Sequence, residues 1–103
     1  MKSAEAMANE LYQAFLLLRT PEEMECFLAD LLTKEERVEM GRRLWTAKAL
    51  DQGISYQEIQ KATGLSSTTV ARISRWLKRG KNGYRLVIDR LHHTSPSRKK
   101  ESS

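Results

Sequence analysis

Ser66, Ser67 and Thr68 set three hydroxyls in consecutive positions, and Arg72, Arg75, Lys78 and Arg79 follow them as cations. On a helix, Ser67, Thr68, Arg72, Arg75 and Arg79 occupy one face, while Val70, Ile73 and Leu77 fall at i, i+3 and i+7 on the other. The first face can donate and accept hydrogen bonds and neutralise anionic charge. Hydroxyls early on a helix with cations further along suit a helix that enters the major groove by its N-terminus. The chemistry on offer is recognition rather than bond-making.

The flanking residues supply what such a helix needs to be held in place. Ser55 stands at a helix N-cap and Glu58, three residues later, completes a capping box. Ile59 and Ala62 are expected to turn inward on the short helix that follows. Gly64 ends it, because a sharp reversal needs a residue tolerant of positive φ. Leu65 plugs the elbow and Ser66 caps the next helix. Residues 54–79 therefore predict a helix-turn-helix. An ordinary αα-hairpin shares much of the pattern, and Gln60 sits where the two helices approach closely and a small residue is commoner.

Charge separates these alternatives. The 103-residue chain has a net charge of +5 and a pI of about 9.6. Residues 1–53 carry 7 Lys/Arg against 10 Asp/Glu, and residues 54–103 carry 11 against 3, so the halves stand at −3 and +8. Positive potential concentrated on the helix-turn-helix end is the footprint of a phosphate-binding surface. A charged face that serves only solubility more often mixes its signs.

Composition excludes several other classes. The single Cys26 forbids an intramolecular disulfide and fits a reducing cytosol. Beside Phe27 on an apolar helix face, its thiol is expected to be buried and inert. The longest apolar run, Ala14 to Leu18, falls far short of the roughly 20 residues a membrane helix needs, so no membrane partner and a cytoplasmic location are expected. His92 and His93 are adjacent and diverge by about 100° on a helix, unlike an i, i+4 metal-binding pair. No metal is expected. With no phosphate-binding glycine loop and no Ser/His/acid set, no enzyme is expected either.

The remaining elements are helical. Residues 4–18 form a first helix with Met7, Leu11, Ala14, Phe15 and Leu18 on one stripe. Thr20, Pro21 and Glu23 open a second. Thr33 with Glu36 starts the longest, running to Gln52 and stopping at Gly53. Gly80 ends the recognition helix, and residues 83–92 form a sixth through Tyr84, Val87, Ile88 and Leu91. Residues 94–103 lack large apolar side chains and read as a disordered basic tail, with Arg98, Lys99 and Lys100 able to touch phosphates. The fold class is all-α, about six short helices in one domain spanning residues 1–93. Tyr12, Leu16 and Leu17 lie off the main stripe of the first helix, leaving more apolar surface than about 100 residues can bury. A homodimer with interlocked N-terminal helices (residues 4–52) is expected, and would present two recognition helices to a two-fold site.

The block LLTKEERVEMGRRL (31–44), then GISYQEI (53–59), Gly64 and STTVARI (67–73) resemble the tryptophan repressor superfamily, in particular its YerC/YecD-type branch, over roughly residues 5–92. The resemblance implies a bacterial, all-helical, intertwined dimer that represses transcription by binding operator DNA. It also implies an amino-acid pocket in which Arg43 and Arg72 match the arginines that flank the indole, and Thr33 and Thr69 match further pocket positions. Ile73, however, stands where the repressor has glycine beneath the ligand, and Trp76 where it has a small serine. Two large side chains overfill a close-fitting site. Trp76 either occupies the corepressor's place or belongs to the core between the recognition and final helices. No cofactor is expected and free tryptophan is put in doubt as the effector, while Arg43 and Arg72 remain to hold a differently shaped small anion; the sequence does not name an effector.

The expected function is sequence-specific binding of double-stranded DNA by a dimeric transcriptional regulator, a repressor by resemblance. Ser66, Ser67, Thr68 and Ala71 are expected at base edges. Gln57, Gln60, Lys61, Arg72, Arg75 and Lys78 are expected chiefly at phosphates. The alternative is a helix-turn-helix module docking on the transcription or replication machinery through protein contacts. Its disadvantage is an exposed face rich in Ser and Thr, since interface cores favour aromatics, Met and Arg. RNA binding has only Tyr56 near the motif for base stacking.

Overall fold

The first five helices begin where the sequence offers a hydroxyl cap. In the computed structural model, which describes residues 2–94, the Ser3 hydroxyl accepts the Ala6 N–H at 3.1 Å and opens α1 (Ala4–Leu17). Thr20 accepts the Glu23 N–H at 3.1 Å, and Pro21 starts α2 (Pro21–Leu31). The Glu23 carboxylate reaches back to the Arg19 N–H, one residue before the cap. Thr33 and Glu36 form a reciprocal box at the head of α3 (Lys34–Asp51). Then come α4 (Tyr56–Thr63), α5 (Ser67–Arg79) and α6 (Gly83–Thr94), the last running two residues beyond the expected end. The described residues contain no strand, and none of their helices is long and apolar enough to cross a membrane. The basic tail from residue 95 lies outside the described residues.

The chain divides within α3, after Val38, into two compact units. In the first, Phe15 and Phe27 meet edge to face with centroids 5.8 Å apart, a favoured aromatic geometry. Yet neither α1 nor α2 buries a single residue. Met7, expected on the inward stripe, is exposed, and Leu16 and Leu17 are 79% and 75% accessible. Cys26 corrects the expectation of a buried thiol: it is exposed, on a shallow groove with Leu18, Glu22, Glu23, Phe27 and Asp30. Nothing in its own unit covers that side of α2.

The second unit holds the core. Ala47, Ala49, Ile59, Leu65, Val70, Ile73, Leu77 and Ile88 are buried together, with Leu50, Ile54 and Tyr84 packed against them. At the end of α3, Gly53 adopts φ 85°, its N–H bonds the Leu50 carbonyl, and the Ile54 N–H bonds the Ala49 carbonyl. This paired arrangement is a Schellman turn. It delivers the chain into α4 with Ile54 against the core.

Ala62 is a second correction. It is exposed, and Thr63 takes the inward place beside Ile59. Ile59 and Thr63 are four residues apart and so share a face, whereas Ala62 is rotated about 100° from Thr63. The buried Thr63 hydroxyl donates to the Ile59 carbonyl at 2.8 Å and accepts the Leu65 N–H at 3.1 Å. A polar side chain thus satisfies the backbone of the elbow, which an alanine could not do.

Gly64 makes the turn at φ 76°, ψ 4°, its N–H bonded to the Gln60 carbonyl at 2.8 Å. A Cβ there would meet no atom within 4 Å. The cost of Gly64→Ala is therefore backbone strain alone, about 1–2 kcal/mol for a left-handed residue. Chemical denaturation is expected to show that loss, and a neutral result would contradict the left-handed turn.

Candidate nucleic-acid interface

The two motif helices pack through Ile59, Leu65, Val70, Ile73 and Leu77, leaving the other side of α5 to solvent. Ser55 caps α4, accepting the Glu58 N–H at 3.2 Å and donating to the Glu58 carboxylate at 3.1 Å. The hydroxyl-to-carboxylate bond stands where a standard box uses the backbone N–H. Ser66 caps α5 likewise, its hydroxyl accepting the Thr69 N–H at 3.1 Å and donating to Thr69 Oγ1 at 3.0 Å. Both helices start on a fixed hydroxyl, so the elbow between them is locally rigid.

Of the residues expected at DNA, Ser66, Ser67, Thr68, Arg72, Arg75 and Lys78 on or capping α5 are exposed, and Ala71 is half-buried. From α4, Gln57 and Lys61 are exposed and Gln60 is half-buried. Lys61, Arg72, Arg75 and Lys78 form no ion pair with any other described residue. Cations without internal partners need not be released before they neutralise phosphate. Ser66 and Thr69 are different: their hydroxyls already serve the helix start.

The residues matched to an amino-acid pocket fall in both units. Thr33 lies in the N-terminal unit, where it caps α3. In the second unit, Arg43 is exposed and pairs with Glu39, Nε to Oε2 at 3.4 Å. Arg72 lies on the exposed face of α5, Thr69 is tied to Ser66, and Ile73 is wholly buried.

Trp76 is not core in the single chain. It is 42% accessible and walls an open groove of about 820 Å³ with Leu44, Arg79, Gly80, Lys81, Gly83, Tyr84 and Val87. A Cβ at Gly80 would run into the Trp76 carbonyl, so glycine is required where the chain leaves α5. Burial pushes the Tyr84 phenol above its ordinary value, with the nearby Arg43 charge acting against that rise. Residue spacing did not foretell this groove, because Leu44, Trp76 and Tyr84 come from three helices. The described residues hold no group of acids, histidines or cysteines suited to a metal.

The family model described as Trp repressor protein matches residues 6–92. The uncharacterized protein YerC of Bacillus subtilis (strain 168) is 34% identical over 86 residues, spanning 84% of this chain and 83% of that protein. A crystal structure of a Trp repressor candidate from Staphylococcus aureus matches with a TM-score of 0.78 at 36% identity, covering 84% of this chain and 86% of the other. That of a TrpR-like protein from Eubacterium eligens ATCC 27750 matches with a TM-score of 0.79 at 34% identity, covering 84% and 89%.

Proposed function

Because this chain belongs to the Trp repressor protein family, we propose that it is a helix-turn-helix transcriptional regulator that represses by binding operator DNA as a homodimer. The observation that carries this is the exposed face of α5, where Ser67 and Thr68 precede Arg72, Arg75 and Lys78 with no internal ion pair. Ser67, Thr68 and Ala71 meet base edges, where Ala71 and the Thr68 methyl suit a thymine methyl. Gln57, Gln60 and Lys61 from α4 hold phosphates with Lys78 and set the register. Ser66 contributes chiefly as the cap that aims α5.

Arg72→Ala and Arg75→Ala separate positioning from readout. Loss of a phosphate contact weakens all duplexes alike and lowers the slope of log affinity against log salt by about one unit. Loss of a guanine contact costs about 1–3 kcal/mol at one base pair only. Titration of a duplex selected on the parent protein, at several salt concentrations, measures both. Unchanged affinity in both variants would remove α5 from the interface, and no binding of any genomic fragment at low salt would end the proposal.

Dimerisation draws support from the N-terminal unit, whose two complete helices contain no fully buried residue within the single chain. A second copy supplies the missing cover and aligns two recognition helices on a two-fold operator.

We further propose that free tryptophan does not act as a corepressor of this chain. Ile73 occupies the core where the family's pocket needs glycine, and an isoleucine there cannot withdraw without leaving a cavity. Millimolar tryptophan is expected to leave the melting temperature unchanged, since a ligand without a site cannot shift the folding equilibrium. Operator binding is expected without added amino acid. Saturable stabilisation by tryptophan, with tightened DNA binding, would reverse this conclusion.

A further inference from the structure

Asp51 is the last residue of α3 and Arg85 lies in the first turn of α6. Each charge stands on the wrong end of its own helix. An acid at a C-terminus faces the negative pole of the macrodipole, and a cation at an N-terminus faces the positive pole. The pair meets, Arg85 Nη2 to Asp51 Oδ1 at 2.8 Å, and Arg85 Nη1 lies 3.6 Å from Asp89 one turn further along α6. The hydrogen bond from Arg85 holds the Asp51 carboxyl below its ordinary value. Helix-end chemistry disfavours both residues singly, so the placement makes sense as a pair.

Position gives the pair its meaning. Asp51 is two residues before Gly53, inside the turn through which the chain enters the helix-turn-helix. Arg85 lies just beyond the turn through which the chain leaves it, where Asn82 adopts φ 66°. One side-chain bond thus joins entry and exit across 34 residues of sequence.

We propose that Asp51 and Arg85 form a clasp that closes the helix-turn-helix at its base and holds α5 in the orientation that reads DNA. They are positioning residues and touch no nucleic acid. The role in DNA reading rests on the function proposed above, whereas the mechanical role does not. With the clasp closed, the Schellman turn at Gly53 keeps one geometry and α4 leaves α3 at a fixed angle. With it open, charge repulsion from each helix pole loosens both turns.

The test compares Asp51→Asn, Arg85→Gln and the exchanged pair Asp51→Arg with Arg85→Asp. Affinity for a duplex selected on the parent protein is measured across salt concentrations, and amide exchange is followed at Gly53 and Ile54. Each single variant is expected to bind about twofold to fivefold more weakly, the scale of a partly exposed ion pair, with the salt slope unchanged. Both amides are expected to exchange faster. The exchanged pair puts each charge on the helix end that favours it, and is expected to restore affinity and protection to near parent values.

Singles that bind and exchange like the parent overturn the clasp, as does an exchanged pair no better than the singles. A salt slope lowered by about one unit in Arg85→Gln would make Arg85 a phosphate contact instead. If the parent protein selects no duplex, the proposed function fails, and amide exchange alone then decides whether the clasp exists.

Discussion

An Ile73→Ala variant is expected to lose about 2–5 kcal/mol of folding stability, the range for emptying a buried branched aliphatic site. Ile73 has no accessible surface and lies in the cluster that joins Ala47 and Ala49 of α3 to Val70 and Leu77 of α5 and Ile88 of α6. Removing its outer carbons leaves a void that helices anchored at both ends by caps cannot readily close. For a domain whose total stability is of order 5–15 kcal/mol, that loss is a large fraction. If the chain dimerises as proposed, stability depends on protomer concentration, so parent and variant are compared at one concentration. Ile73→Val keeps most of the volume and is expected to lose only about 0.5–1.5 kcal/mol. A loss under about 0.5 kcal/mol for the alanine variant, typical of exposed sites, would remove Ile73 from the core.

Placing glutamate at both Leu16 and Leu17 is expected to convert the proposed dimer to a monomer and to weaken the proposed operator binding about 100-fold or more. In the single chain these two leucines are almost free in water, so on a monomer the change would alter stability by no more than about 0.5 kcal/mol. In an interface it would bury two unpaired carboxylates, which association cannot tolerate. The loss of DNA affinity follows from linkage. Two joined recognition helices bind the second half-site as an intramolecular step, an advantage of about 10²–10⁴ that a monomer forfeits. Sedimentation velocity with DNA titration on the same preparation reads both effects. A variant that sediments and binds like the parent would place the dimer contact elsewhere.

What the sequence determined by itself was governed by neighbours within about one helical turn, the inward place of Thr63 rather than Ala62 being the local exception. Thr20, Thr33, Ser55 and Ser66 announced helix starts because a cap is a bond between residues three apart. Gly53, Gly64 and Gly80 announced stops, and at Gly53 and Gly64 the φ values of 85° and 76° state the reason. The apolar stripe Val70, Ile73, Leu77 became the buried face of α5, since periodicity is a local property of one helix. The cationic face opposite followed by exclusion, and with it the candidate interface.

Tertiary structure decided whatever depends on residues far apart in the chain. Burial of Cys26 could not be read from its apolar neighbours, because exposure depends on what a second element covers. Trp76 borders an open groove rather than the core, and the groove's other walls include Leu44 of α3 and Gly83 and Tyr84 of α6. The bond from Asp51 to Arg85 spans 34 residues and breaks the local rule for charges at helix ends. Local interactions are written in adjacent letters, whereas contacts between helices depend on packing distances and angles that no single stretch of sequence contains.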